Sequence, residues 1–196
     1  MYKKNVLLSA LLCISTQCAS DVTPWLEIKP SYFFFNKSPM KNIYNKGGFE
    51  LQASASVPCC HYLDFYGSIG CRHVSGHALN TCEKTSLTVV PGDIGLKPVF
   101  SFHDYFYYFF AIGPRFLYFQ QKNDSPYVDR IIKGGSVGLF FNTGFNVLLF
   151  EHFLLGIFGE YSYEKATVCP KKPNVYSNGS LQIGGLAFGL SLGYAF

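Results

Sequence analysis

Residues 71–83, CRHVSGHALNTCE, hold the groups of this chain best suited to chemistry. His73, Ser75, His77 and Glu83 supply a hydroxyl, two imidazoles and a carboxylate. A nucleophilic serine needs a base within hydrogen-bond reach and an acid that orients the base. Here the four residues fall in a polar connecting segment that imposes no such geometry, and they read as ordinary loop polarity. Cys71, His73, His77 and Cys82 in the same stretch are soft-metal ligands by type, but their spacing matches no standard zinc pattern. No glycine-rich phosphate loop occurs elsewhere. The sequence therefore predicts no catalytic residue, no metal and no cofactor.

A second chemical set is ionic. Glu27, Lys29, Glu50, Asp64, Arg72, Asp93, Lys97, Arg115 and Glu160 all occur at fixed parity inside segments that alternate between large apolar and small or polar residues. Those segments are the elements that must position them. The chain closes on GGLAFGLSLGYAF, where large residues from Leu186 to Phe196 stand at every second place with Gly, Ala and Ser between them. Period two is the strand period. A soluble strand would turn polar residues to water, whereas this one carries no charge at all. Its large face suits lipid and its small face suits a crowded interior.

Seven further segments resemble the last: residues 25–36, 48–57, 62–72, 87–102, 106–120, 136–148 and 153–164, with 182–196 as the eighth. Short connections follow the second, fourth and sixth; long polar ones follow the first, third, fifth and seventh. Pro30, Pro98 and Pro114 lie inside strands, and since proline cannot donate to a ladder, bulges or a register shift are expected at Pro30 and Pro114.

Composition limits the alternatives. The 196 residues include 20 Phe and are 18% aromatic, high for a soluble domain. Residues 1–20 carry Lys3 and Lys4, a short apolar run and small residues at Cys18-Ala19-Ser20, the order of a secretory signal peptide cleaved after Ser20. The remainder, 21–196, suits one domain and is close to charge balance, which argues against nucleic acid as a partner. The two most apolar later stretches are interrupted by Arg115 and by Glu151, His152 and Glu160, so no helix is expected to span a bilayer. In lipid that leaves a closed barrel, because only helices and closed barrels satisfy the backbone there. A charge facing lipid costs about 2–4 kcal/mol at the midplane. The nine strand charges, five acids and four bases, accordingly read as an interior ion-pair network.

With its signal segment, eight alternating strands and terminal Leu192-Gly193-Tyr194-Ala195-Phe196, the chain resembles the small eight-stranded outer-membrane barrels of Gram-negative bacteria, the outer membrane protein A, X and W type. The resemblance implies an all-β, eight-stranded antiparallel transmembrane up-and-down barrel with short periplasmic turns and long extracellular loops, inserted in outer-membrane lipid. It implies that Leu192, Tyr194 and Phe196 form the signal read by the barrel-assembly machinery. Because eight strands enclose only enough room for side chains, Phe33, Phe35, Tyr66, Phe109, Phe119, Phe140 and Phe158 are expected to plug the interior beside the charges. A structural or surface-interaction role then follows, with a narrow channel for small or hydrophobic solutes as the alternative and a lipid A-modifying enzyme as a remote third. Five cysteines survive signal cleavage. Cys82 and Cys169 lie in the second and fourth long loops and can bridge them, while Cys59 and Cys60 sit in a periplasmic turn, placed for cross-links to other envelope proteins.

Overall fold

The computed structural model describes residues 24–44, 47–60, 62–77, 83–103, 105–124, 130–168 and 179–196. The expected signal segment, Cys82 and Cys169 lie outside the described residues. Alternation of large outward and small or polar inward residues produces strands β1 (Trp25–Phe35), β2 (Gly48–Cys60), β3 (Leu63–His77), β4 (Lys84–His103), β5 (Phe106–Asn123), β6 (Ile131–Leu149), β7 (Phe153–Val168), β8 (Gly179–Gln182) and β9 (Gly185–Ala195), with one short helix, α1 (Ser38–Ile43). Each of β1 to β7 pairs antiparallel with its successor, β7 pairs with β9, and β9 pairs with β1. Eight strands therefore close into a ring. The expected eighth strand is divided: β8 continues the pairing of β7 at the loop end, and Ile183 and Gly184 break it from β9.

The outer surface follows from parity. On β1, Leu26, Ile28, Tyr32 and Phe34 are exposed while Glu27, Lys29, Ser31 and Phe33 are buried. The same division runs around the ring, with Phe106, Ile112, Phe116 and Tyr118 outward on β5 and Leu186, Phe188, Leu190, Leu192 and Tyr194 outward on β9. An apolar belt of this extent is stable only against hydrocarbon. Thr143 faces outward within the belt, and its hydroxyl donates to the Phe109 carbonyl at 3.1 Å, so this polar group is satisfied within the protein.

The bulges expected at Pro30 and Pro114 do not occur. The register runs unbroken through both, from Ile28–Leu192 to Ser31–Gly189 for Pro30 and through Pro114–Leu139 on β6. Each proline instead coincides with a lapse in pairing on one side: β1 with β9 at Pro30 and β5 with β4 at Pro114. A strand residue directs its N–H to one neighbour only, so a missing donor interrupts one ladder and leaves the other intact. Pro91 and Pro98 show the same one-sided lapse. True register shifts lie beside the short turns, between Pro58 and Cys60 and between Ser101 and His103.

The strands are longer toward the loops than the sequence pattern marks. His73, Ser75 and His77, expected in a connecting loop, are on β3. β4, β5 and β6 have 20, 18 and 19 residues, against about 9–11 for a tilted strand crossing a bilayer. This side of the barrel stands well above the apolar belt.

At the opposite end, the turn joining β6 to β7 holds Phe150 at φ 51° and Glu151 at φ 67°. Two consecutive left-handed residues are the requirement of a type I′ hairpin, normally met by Asn-Gly. Left-handed backbone costs a non-glycine residue about 1–2 kcal/mol. Replacing both, Phe150→Asn with Glu151→Gly, is expected to raise stability by about 1–2 kcal/mol, seen as a higher urea midpoint for unfolding from lipid vesicles. An unchanged or lower midpoint would show that these residues earn compensating contacts in the turn.

Candidate functional site

The ring gathers the inward charges into two groups. Near mid-barrel, Arg115 on β5 stands opposite Asp93 on β4 in the register. Its Nε donates to Asp93 Oδ1 at 2.6 Å and its Nη2 to Asp93 Oδ2 at 2.7 Å, a bidentate pair. The same Nη2 reaches Glu160 Oε1 of β7 at 2.6 Å. Arg72 and Glu50 are likewise cross-strand partners, joined by an Nε to Oε2 hydrogen bond of 2.7 Å. Gln52 ties the two pairs together, its Nε2 donating to Glu50 Oε1 at 2.7 Å and to the Glu160 carboxylate at 3.3 Å. The Arg72 guanidinium lies over the Phe33 ring, 3.1 Å from its centroid.

The second group is closer to the short turns. Glu27 Oε2 accepts from Lys97 Nζ at 3.0 Å and lies 3.6 Å from Lys29 Nζ. Its Oε1 accepts from Ser191 at 2.6 Å and Asn146 at 3.0 Å. Lys29 Nζ sits over the rings of Tyr66, Phe109 and Phe158 at 5.1 to 5.3 Å, so aromatic faces replace part of its hydration. Asp64 is opposite Lys97 in the register but outside these ion pairs.

All nine charges named from the sequence are buried. The network also includes residues the sequence reading omitted. Glu164 of β7 is buried, with Oε1 3.7 Å from Arg115 Nε, so the inward set is six carboxyls against four cations rather than five against four. Neutral donors make up part of the difference: Gln52, Asn142, Asn146 and Ser191 all bond carboxylates. Their signal was the inward parity they share with the charges.

Above the charges the interior is apolar. Phe33, Phe35, Val74, Leu87, Val89 and Phe119 pack together, and Met40 and Tyr44 enter the cluster from α1 and the residue after it. Gly76 on β3 lies against the carbonyl of Ile43, where a Cβ would collide, so a glycine is needed for α1 to approach the rim. Burial pushes the Tyr44 phenol above its ordinary range, against a hydrogen bond to Thr85 Oγ1 that pulls the other way. Toward the turns, Trp25, Leu154 and Ala195 pack with Val99, Tyr107 and Leu148. Phe33, Phe35, Tyr66, Phe109, Phe119, Phe140 and Phe158 are all buried inside the ring.

Of the other named residues, His73, Ser75 and His77 share the outer face of β3. His73 points outward and its Nδ1 is 3.1 Å from Thr88 Oγ1. Ser75 and His77 line a rim cleft, and Glu83 precedes β4. Among the described residues, no three His, Cys, Asp or Glu side chains gather as metal ligands. Cys59 and Cys60 are half-buried free thiols at the end of β2, and Cys71 is an exposed free thiol on the outer face of β3. Leu192, Tyr194 and Phe196 are exposed; Tyr194 stacks on His152 and packs edge-on against Phe153 and Phe196.

The topology now meets its counterpart in solved structures. OprG of Pseudomonas aeruginosa superposes with a TM-score of 0.60 at 14% identity, covering 89% of this chain and 94% of that one. Ail, the attachment invasion locus protein of Yersinia pestis, was solved in complex with the heparin analogue sucrose octasulfate. It gives 0.54 at 12% identity over 89% and 97%. The N-terminal β-barrel domain of P. aeruginosa OprF gives 0.52 at 12% identity over the same shares. The fold is that of a small eight-stranded outer-membrane β-barrel. No family model and no curated protein sequence matches the chain.

Within this barrel, Arg115 joins Asp93 of β4 to Glu160 and Glu164 of β7. Arg115→Met is expected to destabilise the folded barrel by about 3–5 kcal/mol, because it leaves Asp93 and Glu160 buried without their partner. Asp64→Asn, outside the ion pairs, should cost less than about 1–2 kcal/mol. Urea titration in lipid vesicles measures both, and equal costs would refute a network centred on Arg115.

Proposed function

We propose that this is an outer-membrane barrel with a sealed interior, acting at the cell surface through its loop side rather than by conduction. The observation that carries the reading is the stacking of the interior: the Trp25 cluster, two ion-pair groups, and an apolar cluster closed by Met40 and Tyr44. A packed, ion-paired core gives a solute no continuous path and gives the barrel its rigidity. The solved barrels of this fold include an attachment protein, which fits a surface role.

A second reading is a narrow polar passage. It is favoured by Arg115 Nη1, Gln52 Oε1, Asn142 Oδ1 and Asn146 Oδ1, buried atoms without a protein hydrogen-bond partner. The reading is also non-enzymatic, supported by the position of His73, Ser75 and His77 on the open outer face of β3, where His73 Nδ1 lies against Thr88 Oγ1. Partners follow from position. Leu192, Tyr194 and Phe196 are read as the address for the assembly machinery, Cys59 and Cys60 as cross-link sites to envelope proteins, and Cys82 with Cys169 as a loop-to-loop bridge.

Planar-bilayer recording of the refolded protein tests the interior. The expected trace has no discrete steps for the native chain. A Met40→Ser, Tyr44→Ser double variant loosens the upper cluster and should still not conduct, because the ion-pair groups lie below it. Regular single-channel steps from the native chain would establish the passage instead.

A further inference from the structure

The loop-side rim of β3 to β6 carries a basic patch that neither the sealed core nor the loops require. His77 is opposite Lys84, Ser86 is opposite Lys122, and Gln120 is opposite Lys133, so the three lysines form a diagonal row across three neighbouring strands. Arg130 joins them where its carbonyl accepts from the Asn123 amide. All four cations are exposed; Glu83 and Asp124 are the described carboxylates at the same rim. Lys84, Lys122 and His77 line a half-open cleft of about 610 Å³.

Height is the informative feature. On β5 the outward residues run Phe116, Tyr118, Gln120, Lys122, and on β4 they run Val90, Thr88, Ser86, Lys84. At about 3.3 Å per residue and a tilt near 40°, Lys122 and Lys84 stand roughly 10–15 Å beyond Tyr118 and Val90 on their own strands, while on β6 the exposed Ile131 is opposite Lys122 at the same height. They are on the outer wall at headgroup level, not at the barrel mouth. Directly below, on the same strands, is a second depression of about 570 Å³ in the lipid-facing wall. Gly92 and Gly135 form its floor and Ile69, Phe116, Tyr118 and Val137 its sides. A cationic cleft above an apolar groove has the two-part chemistry of an anionic lipid.

We propose that this wall is a binding site for a phosphorylated glycolipid of the outer leaflet, with phosphate held by Lys84, Lys122 and Lys133 and an acyl chain laid in the Gly92–Gly135 groove. Lysine serves phosphate as a point charge, and basic clusters at headgroup height hold anionic lipids. The outward, near-membrane position favours a leaflet lipid over a soluble polyanion.

Native mass spectrometry of the full chain refolded in neutral detergent, with heat-modifiable gel migration as the folding check, tests the site. The probes are bis-phosphorylated lipid A, its dephosphorylated form, and sucrose octasulfate. Retained lipid A adduct is expected for the native chain and should fall by at least about tenfold in the triple variant Lys84→Gln, Lys122→Gln, Lys133→Gln. The Lys→Arg triple should restore it. A Cβ at Gly92 meets nothing closer than 3.9 Å, so Gly92→Leu should fold, fill the groove and weaken the adduct while the lysines remain. Equal binding of dephosphorylated lipid A, or an adduct unchanged in the lysine triple, would overturn the proposal. Lysine-dependent binding of sucrose octasulfate without lipid A binding would reassign the patch to a soluble sulfated glycan.

Discussion

Every backbone N–H and C=O of a strand in hydrocarbon must find a partner within the protein. The pairing of β1 with β9 meets that demand by removing the sheet edges, and most other features follow from it. Closure at eight strands fixes a circumference, and that circumference leaves an interior only about as wide as side chains. Only a limited set of rings fits there, among them Phe33, Phe109, Phe119 and Phe140, so the remaining inward positions carry small or paired groups and the rest of the bulk faces outward. The Gly, Ala and Ser positions of β9 thus express the same constraint as the aromatic belt. Proline survives under this rule only where its missing donor costs one ladder at one rung, as at Pro30 and Pro114.

The interior charges are a second-order consequence. Once the ring is closed, polar groups inside it are cut off from bulk water, and an unpaired charge there would be more expensive than at any surface position. The pairs accordingly follow the cross-strand register: Glu50 with Arg72 and Asp93 with Arg115 are directly opposed on adjacent strands. Bonds across the barrel, such as Arg115 to Glu160 and Asn146 to Glu27, then fix one strand arrangement against its slipped alternatives. A slip of one residue would put every one of these charges into lipid. Ionic pairing here specifies register as much as it stabilises.

The ring, the belt and the nine inward charges were legible in the sequence because lipid enforces period two without exception. Three things were not. His73 to His77 read as loop because the strand pattern was recognised by large apolar residues facing outward; above the lipid the outer face of β3 turns polar at His73, Ser75 and His77 while the inner face carries only Val74 and Gly76, and that pattern is lost. Glu164 was passed over for a related reason, since it sits near the loop end of β7, where the apolar partner set that reveals parity thins out. The helix α1 gave no signal of its own. Six residues are too few to show a helical period, and its position depends on tertiary contacts of Met40 and Tyr44 and on the absence of a side chain at Gly76.

The same reasoning separates the two ends of the molecule. At the turn end the chain reverses within a few residues, tightly enough to hold Phe150 and Glu151 in left-handed backbone. At the loop end β4, β5 and β6 continue far past the length a bilayer needs, while β1 and β9 stop at 11 residues each. A wall of extra rungs contributes nothing to spanning. It holds side chains at defined heights and lateral spacings above the lipid, which a flexible loop cannot do. The ladder fixes the backbone positions of residues placed there, including the row Lys84, Lys122 and Lys133, as it does those of the ion pairs inside. A barrel whose interior is filled can still present a built surface, and the over-long strands locate that surface on the β3 to β6 side.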